Sequence, residues 1–318
     1  MSSMKKFKKV EKPLSQTRHY SLCIPTTLVS DCRNLSQITH KVYQVAKFAS
    51  LFNVSEVVIL EDNSQASGTK KKISTAKLIL ALLQYFVTPP YLRNTVFKEN
   101  FRPYLAVASK LPRLSTLPFT RYQKQDHGRY REGLTVKMQK PTLTRKRGTG
   151  KEFKQTKYIN IGKAEALALQ SQLVPINARV TIDTVTKKIV SPQEAYGDFT
   201  GMDSQYGYHT RIASSFTDLF MKGPLKEGYT QSIYVPLTTK DTRIPALSSL
   251  PAIGTSPNIL LVLSAWETLL LAFELNKDQF VECQGPHEFF DAQLPCPVAT
   301  SDVTDTIPMA LTTLSTLF

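Results

Sequence analysis

A chain of 318 residues, 42% hydrophobic and 20% charged with a single tryptophan, is long enough for two domains and is neither disordered nor fibrous in composition. Its formal charge of +15 is unevenly spread: residues 121–158 carry twelve basic and three acidic side chains, whereas residues 159–318 carry ten and sixteen. A cationic front and middle on an anionic rear points to a polyanion gripped by one part of the molecule, most simply nucleic acid, rather than to charge kept for solubility.

Residues 1–18 form a basic tail, in which Lys5, Lys6, Lys8 and Lys9 could serve as a nuclear-import patch. SLCIP (21–25) reads as a short buried strand. Leu35, Ile38, Val42, Val45, Ala49 and Phe52 then recur at steps of three and four, the spacing of one face of an amphipathic helix. SEVVIL (55–60) reads as a second strand and residues 63–72 as a polar loop. Ser74 to Phe86 reads as a second helix, stopped by Pro89-Pro90. Alternating strands and helices predict a parallel α/β sheet.

From about Leu117 to Phe199 the apolar runs become short and alternating (LTVKM, YINI, ARVTIDTV, KIV), which predicts a small all-β unit set into the α/β domain. Past Tyr206 the α/β rhythm returns. A helix is expected over 210–221, strands at QSIYV and NILLVL (258–263), a helix over 266–275, and a strand and helix in the closing stretch.

Cys23, Cys32, Cys283 and Cys296 are scattered and the five histidines form no cluster, so neither a disulfide framework nor a zinc site is indicated. MSSMKKFKKV lacks the apolar core of a secretory signal, and the longest apolar runs fall far short of the roughly 20 residues of a membrane helix. The expected location is therefore nuclear or cytosolic, with no membrane partner.

Within the β unit, basic residues alternate with aromatics. Arg121, Arg129, Arg131, Arg145, Lys146, Arg147, Lys151 and Lys154 could neutralise phosphates, while Tyr122, Tyr130, Phe153 and Tyr158 could either stack on unpaired bases or fill the barrel core. TRKRGTGK, a glycine-punctuated cationic loop, reads as nucleic-acid contact or as a solvated hairpin tip.

Three stretches carry a family likeness: SLCIPTTLVSDCRN with QVAKFASLFNVSEVVILED, LLQYFVTPPYLR with REGL, and YGYHTRIAS. In order and spacing, over about residues 19–318, the chain resembles the SPOUT-class (trefoil-knot) RNA methyltransferases whose α/β domain carries an inserted OB-like barrel. The resemblance implies a first SPOUT-like part at 19–116, an OB-like RNA-binding insertion at 117–200, and a second part at 201–318 with a C-terminal knot. It also implies S-adenosylmethionine in the knot loops, a homodimer or a heterodimer with a related SPOUT subunit, and a structured RNA, ribosomal or pre-ribosomal. Ribosome-assembly proteins would be partners and the nucleolus the address. Arg33 and Arg93 would lie near the target nucleotide.

The same resemblance places the cofactor against Leu263, Ser264, Ala265, Leu294, Cys296, Pro297, Val298 and Ser301. There the motifs depart from the family. A Gly-Gly pair is replaced by Ser264-Ala265 with Trp266 next, and a Cys-Pro-Gly-Gln-Gly-Ser turn by Cys296, Pro297, Val298, Ala299, Thr300 and Ser301. Thr268 stands where a further glycine is usual, and PLTTKD (236–241) where a polar charged loop is usual. Glycine at such loops admits a positive φ and close approach of backbone to ligand. The expectation is a methyltransferase-like RNA-binding protein of ribosome biogenesis with weak or lost donor chemistry. An active rRNA base methyltransferase and a basic β-barrel adaptor are the alternatives.

No general base is evident: Asp31, Glu61 and Asp62 are candidates by proximity to strand ends, with helix capping the other reading. Arg211 fits the family's Tyr-x-Gly-Tyr-x-x-Arg pattern, with a structural salt bridge as its other reading. Asp305 is the expected N-cap of the last helix, with Pro308 in its first turn.

Overall fold

The structure is a computed structural model that describes residues 19–61, 73–121, 128–137, 154–191, 194–195, 207–223, 228–237, 258–280, 283–294 and 302–317. Its larger part is one six-stranded, all-parallel sheet. In chain order the strands are β1 (His19–Pro25), β2 (Glu56–Leu60), β10 (His209–Ala213), β11 (Gln231–Pro236), β12 (Asn258–Ser264) and β13 (Ala292–Gln293), arranged in space as β10-β2-β1-β12-β11-β13.

The central strands are apolar at nearly every position because both faces of the sheet are covered. Leu22, Ile24, Val57, Ile59, Ile259 and Leu261 point into one core. That core is closed by helices α1 (Leu35–Leu51), α2 (Thr75–Phe86) and α5 (Val303–Leu317). Cys23, Val58, Leu60, Tyr234, Leu260 and Val262 point the other way, against α3 (Phe216–Met221) and α4 (Trp266–Glu274). Burial pushes the Cys23 thiol up to about 12, leaving it an inert packing group.

Helix starts follow the sequence closely at α1 and α2, where Asn34 accepts from the Gln37 amide at 2.9 Å and Ser74 from that of Lys77 at 3.4 Å. The α1 stripe is centred on Val42, Val45, Ala46 and Ala49, which are fully buried. Leu35 and Ile38 are half-buried, and Thr39 is buried with its hydroxyl returned to the Leu35 carbonyl at 2.7 Å.

Two expectations are corrected. The segment expected as a helix over 210–221 is instead the edge strand β10 followed by the short helix α3, whose N-cap is Ser215. Five residues of β10 pair in parallel with β2, and that long-range pairing overrides local helix preference. At α5 the cap is Asp302, which accepts from the Thr304 amide at 3.1 Å, and Asp305 lies in the first turn. Pro308 is therefore inside α5 rather than in its first turn.

Between α2 and β10 lies the smaller unit, an antiparallel five-stranded sheet. Its strands are β3 (Tyr130–Thr135), β5 (Tyr158–Asn160), β6 (Leu167–Ala168), β8 (Arg179–Asp183) and β9 (Lys188–Val190), in the order β6-β5-β3-β8-β9. A two-stranded ribbon pairs β4 (Gln155–Thr156) with β7 (Val174–Pro175). The core of this half-barrel is Ile159, Ile161, Leu169 and Ile182. Short helical turns between Pro90 and Lys110 bridge the two units. Most of the expected cofactor loop 294–301 lies outside the described residues, as do residues 238–257, the basic tail, Asp62 and the cationic loop 138–153.

Candidate cofactor shelf and nucleic-acid interface

Because every strand of the large sheet runs the same way, the residues after Pro25, Leu60, Ala213, Pro236 and Ser264 line up along one edge, the usual place for a ligand on a parallel sheet. Of the expected cofactor residues, Leu263 and Ser264 end β12, Ala265 is the N-cap of α4, and Leu294 follows β13 with β11 between. Cys296, Pro297, Val298 and Ser301 lie outside the described residues.

Leu263 and Leu294 are buried in the first core. The Tyr234 hydroxyl donates to the Ser264 carbonyl at 2.9 Å, deep in the fold. The Ser264 hydroxyl turns back onto the Ala265 carbonyl at 3.1 Å, which also receives the amides of Thr268 at 3.2 Å and Leu269 at 3.4 Å. Trp266 lies edge-on to Tyr234, with ring centres 5.5 Å apart, and packs against the second core.

Ala265 has φ −68°, a conformation open to any residue, so the positive φ that would demand glycine is not needed here. The replacement of glycine at this turn is accommodated by the backbone. What changes is the polar surface: the carbonyls of Ser264, the last residue of β12, and of Ala265, the N-cap of α4, are engaged inside the fold. A donor nucleotide seated on this half of the shelf would meet carbonyls that already accept hydrogen bonds from within the fold.

Beside the shelf, the Lys41 ammonium reaches Asp31 at 2.8 Å, Asp302 at 2.5 Å and the Leu28 carbonyl at 3.3 Å, tying the loop after β1 to the start of α5. The hydrogen bond from Lys41 holds the Asp31 carboxyl below its ordinary pKa, which makes it a weak proton acceptor. Glu61 accepts from the Ser214 hydroxyl at 3.5 Å at the end of β2.

The expected RNA contacts divide into two groups. Arg33 and Lys154 are exposed. Arg129 is half exposed, ion-paired with Asp183 at 2.8 Å and set over the Tyr130 ring at 5.1 Å; that pairing holds Asp183 down at about 2. Arg131 lies over Tyr91 at 4.7 Å, in the seam between the two units. Arg93 is fixed against the α/β domain, its guanidinium 4.0 Å over the Tyr85 ring and bonded to the Thr88 carbonyl at 3.2 Å. Tyr130 and Tyr158 are half-buried beside the core of the insertion rather than in it, each with a cation over its ring. The side chain of Arg121, and Tyr122, Arg145, Lys146, Arg147, Lys151 and Phe153, lie outside the described residues.

Two buried ion pairs join residues distant in the chain: Glu132 with Arg179 escaped sequence reasoning, and for Arg211, where a structural salt bridge was one reading, the partner did. Glu132, fully buried on β3, receives Arg179 of β8, whose Nη2 also reaches the Val87 carbonyl of the α/β domain at 2.7 Å. Burial outweighs the attraction of Arg179 and pushes the Glu132 carboxyl up to about 7; among the described residues its Oε1 has no hydrogen-bond partner. The Tyr91 hydroxyl donates to the Glu132 carbonyl at 3.0 Å, and the Asn160 amide to the Thr95 hydroxyl at 2.9 Å, so the insertion is docked by polar contacts. Gly162 has φ +77°, and a Cβ there would sit 2.5 Å from the Tyr91 ring.

The second pair is Arg211 with Glu56. Arg211 Nε donates to the buried carboxylate at 2.6 Å, Nη1 to the Asp218 carbonyl at 2.8 Å, and Nη2 to the Leu219 carbonyl at 2.8 Å and the Tyr229 hydroxyl at 3.0 Å. Tyr229 in turn donates to Glu56 at 2.6 Å; burial, then the Glu56 charge, raises its pKa. All this lies at the strand-start side of the sheet, since Glu56 opens β2. Arg211 is a structural residue here, away from the shelf.

Among the described residues no group of three or more His, Cys, Asp or Glu could hold a metal ion, and no helix is long and apolar enough to cross a membrane. A family model described as "Putative RNA methyltransferase" matches residues 19–317. The chain is 86% identical to the Saccharomyces cerevisiae "Putative methyltransferase YMR310C" over 100% of both chains. It is 34% identical to "Putative methyltransferase YGR283C" of the same yeast, over 96% of this chain and 91% of that one. At 25% identity, over 67% of this chain and 56% of the other, it is similar to the human 28S rRNA (uridine-N(3))-methyltransferase. With a parallel sheet, an antiparallel insertion and a match spanning residues 19–317, the chain belongs to this RNA methyltransferase family.

Proposed function

We propose that this chain is an RNA-binding, methyltransferase-like protein of ribosome biogenesis, in which the basic insertion grips ribosomal or pre-ribosomal RNA and the donor chemistry is weak or lost. The observation that carries the reading is the end of β12, where the Tyr234 hydroxyl engages the Ser264 carbonyl and the Ser264 hydroxyl engages that of Ala265. The family implies S-adenosylmethionine, whose role when bound is to supply the methyl group. Transfer depends on in-line positioning, where a misplacement of about 1 Å costs on the order of a hundredfold in rate. A shelf whose carbonyls are taken up by the hydroxyls of Tyr234 and Ser264 supplies little of that positioning. A nucleolar address and a dimer with a second copy or a related subunit belong to the same reading.

Titration calorimetry of the full chain with S-adenosylmethionine tests it. The expected result is no saturable heat; saturable binding at micromolar donor would overturn the reading.

The similarity to the human 28S rRNA (uridine-N(3))-methyltransferase favours a second reading, an active rRNA uridine methyltransferase. Uridine N3 carries a proton that must leave, and Asp31, the carboxylate beside the shelf, is held ionised by Lys41 and is a poor acceptor for it. Mass-spectrometric detection of N3-methyluridine in rRNA incubated with the protein and the donor would decide for that reading.

A further inference from the structure

The end of α2 and the short helical turns after it border an open cavity of about 350 Å³, apart from the shelf residues. Its floor is apolar: Tyr85, Phe97 and Leu105 are all buried, and the two rings meet at 5.6 Å. Its rim is cationic and polar, formed by Arg93, Arg102, Asn94 and Ser109.

Arg93 is pre-set. Its guanidinium carbon lies 4.0 Å from the centre of the Tyr85 ring, Nε is bonded to the Thr88 carbonyl and Nη1 to the Tyr85 hydroxyl at 3.1 Å, so Nη2 is the donor turned to no partner among the described residues. Burial, and to a smaller degree the nearby charge of Arg113, pulls the Arg93 pKa down, the condition in which an arriving anion is stabilising. Arg102 is paired only loosely, at 3.5 Å, with an exposed Glu99. A fixed guanidinium backed by an aromatic ring, beside a second, exposed arginine, offers a stacking surface for a base and donors for its phosphate.

The cavity is also next to the insertion. Tyr91 and Thr95, which flank Arg93 in the chain, bond to Glu132 and Asn160 of the barrel, and Arg131 covers the Tyr91 ring.

We infer that this cavity seats one unpaired nucleotide of the RNA strand that the insertion holds, its base against the Arg93 plane and its phosphate on Arg102. The inference rests on the RNA-binding reading above. The described face of the insertion and the cavity then form one continuous track, with the seat selecting RNA that can extrude a nucleotide beside the insertion.

The test uses the full chain and a fluorescently labelled single-stranded RNA of uridines and adenosines, with Kd measured by anisotropy over a range of salt. Arg102 and Asn94 are exposed, so Arg102→Glu and Asn94→Ala variants should fold as the parent does. Arg102→Glu should raise Kd about tenfold or more, the scale of losing one charge-assisted hydrogen bond to a phosphate. It should also lower the salt slope by about 0.7, the value for one released phosphate contact on a single strand. Asn94→Ala should narrow the difference between uridine and adenosine runs. RNA carrying 4-thiouridine should crosslink to residues 85–109 as well as to the insertion.

An unchanged Kd and slope in Arg102→Glu, or crosslinks confined to residues 121–158, would overturn the inference. Saturable micromolar binding of free uridine or adenosine 5′-monophosphate would overturn it in favour of a free-nucleotide site. If the parent protein binds no RNA, the RNA reading falls together with it. If replacing Arg145, Lys146 and Arg147 by alanine weakens binding while Arg102→Glu does not, only the nucleotide seat is refuted.

Discussion

Replacing Arg211 by methionine keeps the length of the side chain and removes its charge. Glu56, 1% exposed, then loses the Nε donor at 2.6 Å and keeps, among the described residues, the Tyr229 hydroxyl. Truncating one member of a buried ion pair costs about 3–5 kcal/mol, because the remaining charge is left in a poorly solvated site. The carbonyls of Asp218 and Leu219, at the last turn of α3, lose donors at 2.8 Å, which adds about 1 kcal/mol beyond what the ion pair already counts. The expected loss is about 4–6 kcal/mol. With an unfolding entropy near 2.1 cal/mol/K per residue, a chain of this length loses about 1.5 °C of Tm per kcal/mol, so Tm should fall by about 6–9 °C. The assay is thermal unfolding followed by circular dichroism, with RNA affinity measured in parallel and expected to be unchanged. Adding Glu56→Gln, which removes the stranded charge, should restore about 2 kcal/mol. A Tm loss under about 2 °C, or a large loss of RNA affinity at unchanged Tm, would refute the structural assignment of Arg211 and return it to the functional site.

Glu132 makes a pH prediction of definite sign. Its carboxyl is raised from 4.5 to about 7, so the folded protein binds that proton more tightly than the unfolded chain. The resulting stability is fully present below pH 4.5 and is lost as pH rises through 7, a change of about 3 kcal/mol. Glu132→Gln cannot ionise and should flatten this part of the stability profile in urea unfolding; an unaltered slope between pH 4.5 and 7 would contradict the assignment. Gly162→Ala should destabilise docking of the insertion by about 2–4 kcal/mol, since it combines a left-handed φ with a Cβ pressed on the Tyr91 ring, and a cost under 1 kcal/mol would show that the ring moves aside. Lys41→Met should cost only about 1 kcal/mol, because Asp31 is 66% exposed and well solvated without its partner.

Local signals were legible where one residue type had one possible use. The apolar spacing from Leu35 and the segment from Ser74 to Phe86 marked α1 and α2, and β1, β2 and β12 are apolar at their centres because both faces are covered. The strand β10 was not legible as a strand. Its sequence, HTRIA, has weak alternation, and its identity comes from pairing with β2 some 150 residues earlier in the chain. The N-cap of α5 was misplaced by three residues because Asp302 and Asp305 are chemically equivalent, and only the chain path selects the one that also meets Lys41. At the shelf, the loss of glycine was visible in the letters. That Ala265 sits at φ −68°, and that the hydroxyls of Tyr234 and Ser264 take up the carbonyls, depends on three elements meeting.

The amino-acid order by itself determined the parallel α/β frame, the position of the antiparallel insertion and the cationic character of that insertion, because periodicity, turn residues and charge are properties of neighbours in the chain. Tertiary structure alone decided which arginines are committed to the fold, Arg211 and Arg179, and which line an open cavity, Arg93 and Arg102. The physical reason is that a charged side chain is defined by what surrounds it, and here each decisive partner, Glu56 for Arg211, Glu132 for Arg179 and Tyr85 for Arg93, arrives from another part of the fold or another turn of the chain.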